Sequence, residues 1–97
     1  MDDKIPCRTP NPDKPGITNL PAWKFNAIRK AILEILGEQG DVRWSDLTEL
    51  VRTKLTKDER DNMGSVGWHT VSVKLEMEVR GEIKRRDQKG PQVIGLP

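Results

Sequence analysis

The side chains in this sequence best suited to binding chemistry are cationic and lie near the C-terminal end. Lys84, Arg85 and Arg86 follow one another, and Lys89 comes shortly after them. Clustered ammonium and guanidinium groups neutralise the phosphates of a nucleic acid. The cluster is equally typical of a solvated hairpin whose charges prevent edge-to-edge aggregation. Because successive side chains of a strand point to opposite faces, only part of the cluster can address one partner.

Catalytic chemistry has little support in the sequence. Cys7 and His69 are the only cysteine and the only histidine, and there is no tyrosine. The chain also has no glycine-rich phosphate loop and no cluster of residues with metal-ligand spacing. We therefore expect a protein that is not an enzyme and that needs neither a cofactor nor a metal.

Charge, hydropathy and cysteine content set the expected class of protein. The 97 residues include 17 basic and 15 acidic side chains, and this net charge of +2 is only weakly basic. The distribution of charge therefore matters more than its total for any nucleic-acid partner. No apolar run is long enough to span a bilayer, and the N-terminus does not resemble a signal peptide. A single cysteine permits no intrachain disulfide, so a cytoplasmic location without membrane contact is expected.

The N-terminal part of the chain is predicted to be an irregular arm over residues 1–20, followed by a folded domain over residues 21–97. Prolines disfavour a regular helix or central strand in the arm. They are Pro6, Pro10, Pro12 and Pro15. A helix is predicted over residues 21–36, ended by Gly37 and Gly40. Its apolar face comprises Phe25, Ile28, Ala31, Ile32, Ile35 and Leu36.

The middle of the chain predicts a short strand over residues 41–44 and a second helix capped by Ser45 and extending to about Leu55. Residues 56–64 are almost wholly polar and are either a loop or one more helical turn. After the last helix, two strands are predicted with a turn between them. These segments are residues 82–87, 88–91 and 92–96.

The last predicted helix is apolar on two opposite sides. It begins near Ser65 and ends at Gly81, which suits the left-handed position that closes a helix. One stripe comprises Trp68, Val71, Leu75 and Val79, and the other comprises Val66, Val73 and Met77. A helix of this kind is either enclosed within its domain or reserves one side for a partner.

The order helix, strand, helix, helix, strand, strand resembles that of a winged helix-turn-helix domain, and local residues agree. The segment from Gly40 to Leu47 resembles the short strand and second helix of such domains. The segment from Met77 to Ile83 resembles the Leu-Glu-x-x-Gly-Leu-Ile signature that closes their third helix, with Glu82 replacing the second leucine. The resemblance implies an α+β fold of three helices with a small antiparallel sheet and wing, in the order α-β-α-α-β-β.

From Pro10 onward, most of the sequence also resembles a small family of uncharacterised bacterial proteins of similar length. The matching segments are Pro10 to Pro12, Lys24 to Ile32, Ser65 to Trp68 and Val73 to Leu75. This second resemblance implies no established biochemical activity.

The winged-helix resemblance implies a DNA-binding, transcription-regulator-like function. In such domains the third helix enters the major groove and the wing touches phosphates. The candidate contacts implied on the helix are Ser65, His69, Thr70 and Lys74, and those on the wing are Lys84, Arg85, Arg86 and Lys89. Two of these have ordinary alternatives, since Ser65 is also suited to capping the helix and His69 to being a plain surface histidine.

Other features favour a partner different from DNA. Asp58, Glu59 and Asp61 lie in the connection before the third helix, close to where a phosphate backbone would run. That connection is also longer than the turn of a compact helix-turn-helix. The alternative is a winged-helix module that binds a protein partner or forms a homodimer, through the second apolar stripe or the arm, without binding nucleic acid.

Overall fold

Helices and small antiparallel sheets make up the computed structural model, which describes residues 3–8, 17–86 and 92–97. The helices are α1 (Ala22–Gln39), α2 (Trp44–Lys54), α3 (Lys57–Met63) and α4 (Val66–Arg80). The strands are β1 (Lys4–Arg8), β2 (Ile17–Pro21), β3 (Val42–Arg43), β4 (Lys84–Arg86) and β5 (Val93–Gly95). This combination confirms the predicted α+β class.

The helix α1 has the apolar face that its sequence predicts. All six side chains of the predicted stripe are buried, from Phe25 to Leu36. The helix continues through Gly37 to Gln39 and ends only at Gly40, whose φ of 76° no other residue type adopts easily. Gly37 was predicted to end the helix together with Gly40, and that prediction is wrong for Gly37.

The N-terminal segments form a two-stranded antiparallel sheet where an irregular arm was predicted. The register places Ile5 opposite Leu20 and Cys7 opposite Thr18. Cys7 and Leu20 are buried, at 3% and 1% exposure, and both belong to the hydrophobic core. Prolines are compatible with this sheet because each of its two strands is an edge. The remainder of the predicted arm, residues 1–2 and 9–16, lies outside the described residues.

Two helices replace the single predicted helix and its polar connection. α2 begins at Trp44, after the extended residue Arg43, so the predicted N-cap Ser45 is already helical. α3 follows at once and is stabilised by a capping box. Thr56 Oγ1 accepts a hydrogen bond from the Glu59 amide at 3.1 Å, and the Glu59 carboxylate accepts one from the Thr56 amide at 2.9 Å. The polar segment, predicted to be either a loop or one more helical turn, is therefore mostly a short helix.

The three remaining strands form an antiparallel sheet in the order β3-β5-β4. Val42 lies opposite Ile94, and Lys84 lies opposite Gly95. The two strands predicted near the C-terminus are thus confirmed, and their predicted turn over residues 88–91 lies outside the described residues. The sheet order and the chain path from α1 to β5 are compatible with a winged-helix-like fold, to which α3 and the β1-β2 sheet are additions.

The core lies where α1 crosses α4 and α2, with β1 covering another part of α4. Its largest fully buried apolar side chains include Phe25, Leu20, Ile28, Ile32, Ile35, Leu47, Met63, Met77 and Ile94. Every helix and both sheets contribute to this set, so the β1-β2 sheet packs as part of the domain.

Gly37 and Gly81 should respond in opposite ways to replacement by alanine. Gly37 lies inside α1 with open space around it, whereas Gly81 closes α4 at φ 77° and ψ 17°. Gly37→Ala should raise the free energy of unfolding by about 0.5–1 kcal/mol, because alanine loses less backbone entropy on folding. Gly81→Ala should lower it by about 1 kcal/mol, because a left-handed conformation strains an L side chain. Urea denaturation of both variants measures these shifts, and shifts of the same sign would contradict the two conformations.

Candidate functional site

The two long sides of α4 differ sharply in exposure. The buried side includes Val66, His69, Thr70, Val73, Lys74, Glu76 and Met77. The opposite side carries Trp68 at 52% exposure and Val71 at 39%. Leu75 and Val79 extend the same stripe and are partly buried. Of the two apolar stripes predicted for this helix, one therefore packs into the core and the other faces outward.

A buried carboxylate fixes β1 against α4. Glu76 is 1% exposed, and its carboxylate accepts hydrogen bonds from the Arg8 guanidinium at 2.8 and 3.0 Å. It also accepts one from the Arg8 backbone amide at 2.8 Å and one from Arg80 Nε at 2.8 Å. A buried charge is tolerated only when it is paired and hydrogen-bonded in this way. We call this group, Arg8, Glu76 and Arg80, the Glu76 clamp.

Both Glu76 and the neighbouring Cys7 have pKa values shifted from their ordinary values. Hydrogen bonds from the Arg8 side chain, above all, lower the pKa of Glu76 from 4.5 to about 2. Burial raises the pKa of the neighbouring Cys7 thiol from 9.0 to about 11. A thiol with so high a pKa is a poor nucleophile near neutral pH, so Cys7 acts as a small apolar core residue.

The predicted helix contacts Ser65 and His69 both have local structural roles. Ser65 Oγ accepts a hydrogen bond from the Trp68 amide at 3.1 Å, which confirms the capping interpretation. His69 Nδ1 donates to the Ser65 carbonyl oxygen at 2.7 Å, and its ring stands edge-on to Trp68 at 4.8 Å. His69 is only 9% exposed, so its ring has little surface with which to meet a base edge.

The other two predicted helix contacts are buried. Thr70 has no exposed surface, and Lys74 is 4% exposed. The Lys74 ammonium lies 3.1 Å from Glu78 Oε1, in a contact that pairs charges without good hydrogen-bond geometry. It also lies 4.6 Å from the centre of the Trp44 ring. Neither side chain can reach a DNA groove from this position, so both leave the set of candidate contacts.

Within the described part of the basic wing, two cations are exposed and one is paired with another residue. Lys84 and Arg85 are exposed. Arg86 instead lies 3.4 Å from Asp41 and donates a hydrogen bond to the Leu96 carbonyl at 2.6 Å. Lys89 lies outside the described residues. The part of the wing that the structure describes therefore offers two cations to a partner, fewer than the sequence alone indicates.

A polar groove lies at the N-terminal end of α4. It has a volume of about 420 Å³. Its lining residues are Arg52, Arg60, Asp61, Gly64, Ser65, Val66 and Gly67. Two guanidinium groups beside the positive end of a helix favour a bound anion, whereas Asp61 opposes one. Asp61, one of the acidic residues of the connection before α4, thus lies at the N-terminal end of that helix, as expected from the sequence.

Neither a metal site nor a membrane-spanning helix is found among residues 3–8, 17–86 and 92–97. No group of three or more His, Cys, Asp or Glu side chains is placed to hold a metal ion. No helix in those ranges is long and apolar enough to cross a membrane.

A protein-family model matches residues 4–94, which span the chain from β1 into β5. The model describes a family of unknown function, DUF6958. The chain belongs to this family. Membership agrees with the predicted resemblance to a small family without established activity, and the DUF6958 match includes β1 and β2 as well as the four helices. The chain matches no curated protein and no solved structure.

Two features of this DUF6958 domain were not predicted from its sequence. The first is the outward direction of the stripe formed by Trp68, Val71, Leu75 and Val79, which the hydropathy pattern detected without orienting. The second is the Glu76 clamp, which joins residues 68 positions apart in the sequence. The alternation of apolar Ile5 and Cys7 was the only local signal of the strand that carries Arg8.

Replacing Glu76 should change how stability depends on pH. Because the folded pKa of about 2 lies below the ordinary 4.5, the clamp contributes fully above pH 4.5 and is lost as pH falls toward 2. Glu76→Gln should therefore lower the free energy of unfolding near pH 7 by roughly 2–3 kcal/mol. This is less than the full pKa shift implies, because Arg8 is half exposed and solvent screens its interaction with Glu76. The difference from the parent should narrow below pH 4.5.

Urea denaturation between pH 7 and the acid limit of folding measures this difference. Glu49→Gln is the matched control, because Glu49 forms an exposed ion pair at 3.7 Å that contributes little. A parent-to-Glu76→Gln difference that stays constant down to the lowest accessible pH would show that the clamp does not hold the carboxylate ionised.

Proposed function

We propose that this protein is an interaction module that binds a protein partner through the outward side of α4. We call this surface, formed by Trp68, Val71, Ser72, Leu75 and Val79, the α4 face. The observation that carries the proposal is its apolar character. Among the five, only the Ser72 hydroxyl and the Trp68 indole N–H can form side-chain hydrogen bonds, and the Ser72 hydroxyl already donates to the Trp68 carbonyl at 3.2 Å.

The proposal assigns the chain from α1 to β5 to the winged-helix architecture. Three observations support this: the order of elements, the sheet order β3-β5-β4, and the left-handed Gly81 that closes α4. In this architecture α4 occupies the position of the helix that reads the major groove. Reading base edges requires donors and acceptors on the exposed side of that helix. The α4 face carries apolar groups there, which favours a protein surface as its ligand.

The energetics of the α4 face also favour a protein partner. Each square ångström of apolar surface removed from water contributes about 25 cal/mol, and a half-exposed tryptophan offers a large share of such surface. Tryptophan is among the residues that most often dominate the energy of protein interfaces. Arg8 and Arg80 lie beside the face and can form a polar rim, since both guanidinium groups keep part of their surface exposed.

Site-specific photocrosslinking in cells that produce the protein tests this function. A benzophenone amino acid at Val71 should give discrete protein adducts, because Val71 is an exposed residue of the α4 face, at 39%. The same group at Lys30, an exposed α1 residue, is the matched control and should give none. Adding Leu75→Glu to the chain that carries the benzophenone group at position 71 should abolish the adducts, because the substitution places a charge in the contact. Equal labelling from both positions, or adducts that survive Leu75→Glu, would refute the proposal.

Duplex DNA is the second candidate partner, and the wing supports it. Lys84 and Arg85 are exposed on β4, and no ion pair joins either of them to a described residue. The groove with Arg52 and Arg60 at the N-terminus of α4 offers a further place for a phosphate. In this second proposal, the backbone contacts would come from Lys84, Arg85 and Ser65.

A duplex titration at low and moderate salt tests the second candidate. If the wing binds phosphate, Lys84→Ala/Arg85→Ala should weaken binding and reduce the slope of log K against log salt by about 2. Lys30→Ala removes an exposed cation elsewhere and should leave both quantities unchanged. Absence of binding by the parent at low salt would eliminate duplex DNA as a partner. Trp68→Ser separates the two functions, because it should abolish Val71 crosslinking without changing a phosphate-mediated affinity.

A further inference from the structure

A cavity of about 570 Å³ lies between the first turn of α1 and the helix α3. Its lining residues are Trp23, Lys24, Asp58, Glu59 and Asn62, and we call it the Trp23 cavity. The volume falls in the range of about 300–1,000 Å³ that is usual for small-ligand sites. None of the five residues belongs to the α4 face or to the Glu76 clamp, so the Trp23 cavity is independent of the proposed function.

The indole of Trp23 is the aromatic surface of this cavity. Trp23 is 42% exposed and lies outside the hydrophobic core, whereas Phe25, two residues later in α1, is 1% exposed. Two residues of a helix are separated by about 200° around its axis, so the burial of Phe25 directs Trp23 away from the core. Among aromatic side chains, tryptophan attracts a cation over its ring face most strongly.

The short helix α3 divides its charged side chains between two sites. Three of its residues line the Trp23 cavity, namely Asp58, Glu59 and Asn62. Both cations of α3 lie elsewhere, because Arg60 lines the groove at the N-terminal end of α4 and Lys57 pairs with Asp61 at 3.2 Å. The side of α3 that meets Trp23 is therefore acidic.

This acidic side keeps hydrogen-bond acceptors for a positively charged group. The Glu59 carboxylate accepts from the Thr56 backbone amide at 2.9 Å, and this neutral donor leaves its negative charge in place. The side-chain amide of Asn62 donates to the Asp58 backbone carbonyl at 2.8 Å, so its own oxygen is still an acceptor. Asp58 itself is exposed.

Lys24 is the one cation among the described lining residues, and its ammonium group is already engaged. It donates a hydrogen bond to the Met63 carbonyl oxygen at 3.0 Å and lies 5.7 Å from the centre of the Trp23 ring. A cation is thus compatible with this environment. One lysine against the two carboxylates leaves the lining with a net charge of −1.

From these contacts we propose that the Trp23 cavity binds an organic cation, a guanidinium or ammonium group placed against the indole face and the Asp58 carboxylate. An anion would meet two carboxylates there, and an uncharged ligand would gain no attraction from them. Because Trp23 and Asp58 are both open to solvent, each contact contributes modestly. We expect a dissociation constant on the order of 1 mM for a single cationic group.

NMR of the nitrogen-labelled full chain tests this site through the indole N–H signals of its tryptophans. The probe is N-acetylarginine amide, and the matched control is N-acetylcitrulline amide, which has a similar shape without the charge. The arginine probe should shift the Trp23 signal, whereas Trp68, of similar exposure at 52%, should not respond. Equal responses of the two tryptophans, equal responses to the two probes, or no shift at about 20 mM probe would overturn the site.

Two substitutions with opposite expected effects test the role of charge. Asp58→Asn should weaken binding of the arginine probe about twofold to fivefold, because it removes an attracting charge. Lys24→Gln should strengthen binding by a similar factor, because it removes a repelling charge and keeps a donor for the Met63 carbonyl. Lys84→Gln removes an exposed cation of β4 and should leave the affinity unchanged. Effects of the same sign for Asp58→Asn and Lys24→Gln would contradict a cation site.

A titration with spermidine distinguishes a free polyamine from the side chain of a larger partner. Saturation of the Trp23 signal at a spermidine concentration at least tenfold below that of the arginine probe would identify a free polyamine as the ligand. A smaller difference would identify a side chain. Either result retains the cation site, whereas failure of both cations to shift Trp23 overturns it and leaves the α4 face untouched.

Discussion

The buried carboxylate of Glu76 is the constraint on which the rest of the structure depends. A charge with 1% exposure is stable only if positive partners come to it, and here they come from the first strand and from the same helix. Satisfying Glu76 therefore brings β1 onto one side of α4. The strand also places Cys7 and Leu20, through its pairing with β2, in the core. The hydrogen-bonded Glu76 carboxylate and the buried side chains of Cys7 and Leu20 together hold the N-terminal sheet in place.

The packing of α1, α2 and β1 together decides which side of α4 remains available. α1, α2 and β1 enclose the side that carries Val73, Met77 and Glu76, so the polar residues Thr70 and Lys74 are enclosed with it. Lys74 then serves the fold through Glu78 and Trp44. The outward side keeps the other apolar stripe. A helix that buries Thr70, Lys74 and Glu76 and exposes Trp68 and Val71 is suited to a protein partner. The exposed cations Lys84 and Arg85 lie beyond it on β4.

Local patterns in the sequence predicted most of the elements, and long-range contacts account for the errors. The buried face of α1, the cap at Ser65 and the left-handed Gly81 follow from neighbouring residues alone. The capping box of Thr56 and Glu59 was also readable, since its residues have the required spacing. The β1-β2 sheet was not readable, because its position depends on Arg8 reaching Glu76 across 68 positions. For the same reason, hydropathy detected both stripes of α4 without showing which one faces outward.

Fluorescence quenching of Trp68 tests most directly whether the α4 face is open in the folded monomer. Trp68 is observed alone in a Trp23→Phe/Trp44→Phe chain, and Trp44, which packs against the core, is observed alone in a Trp23→Phe/Trp68→Phe chain. At low protein concentration, acrylamide should quench the half-exposed Trp68 several-fold more strongly than Trp44 in the folded chain. Equal shielding of the two tryptophans in the folded monomer would contradict the open α4 face.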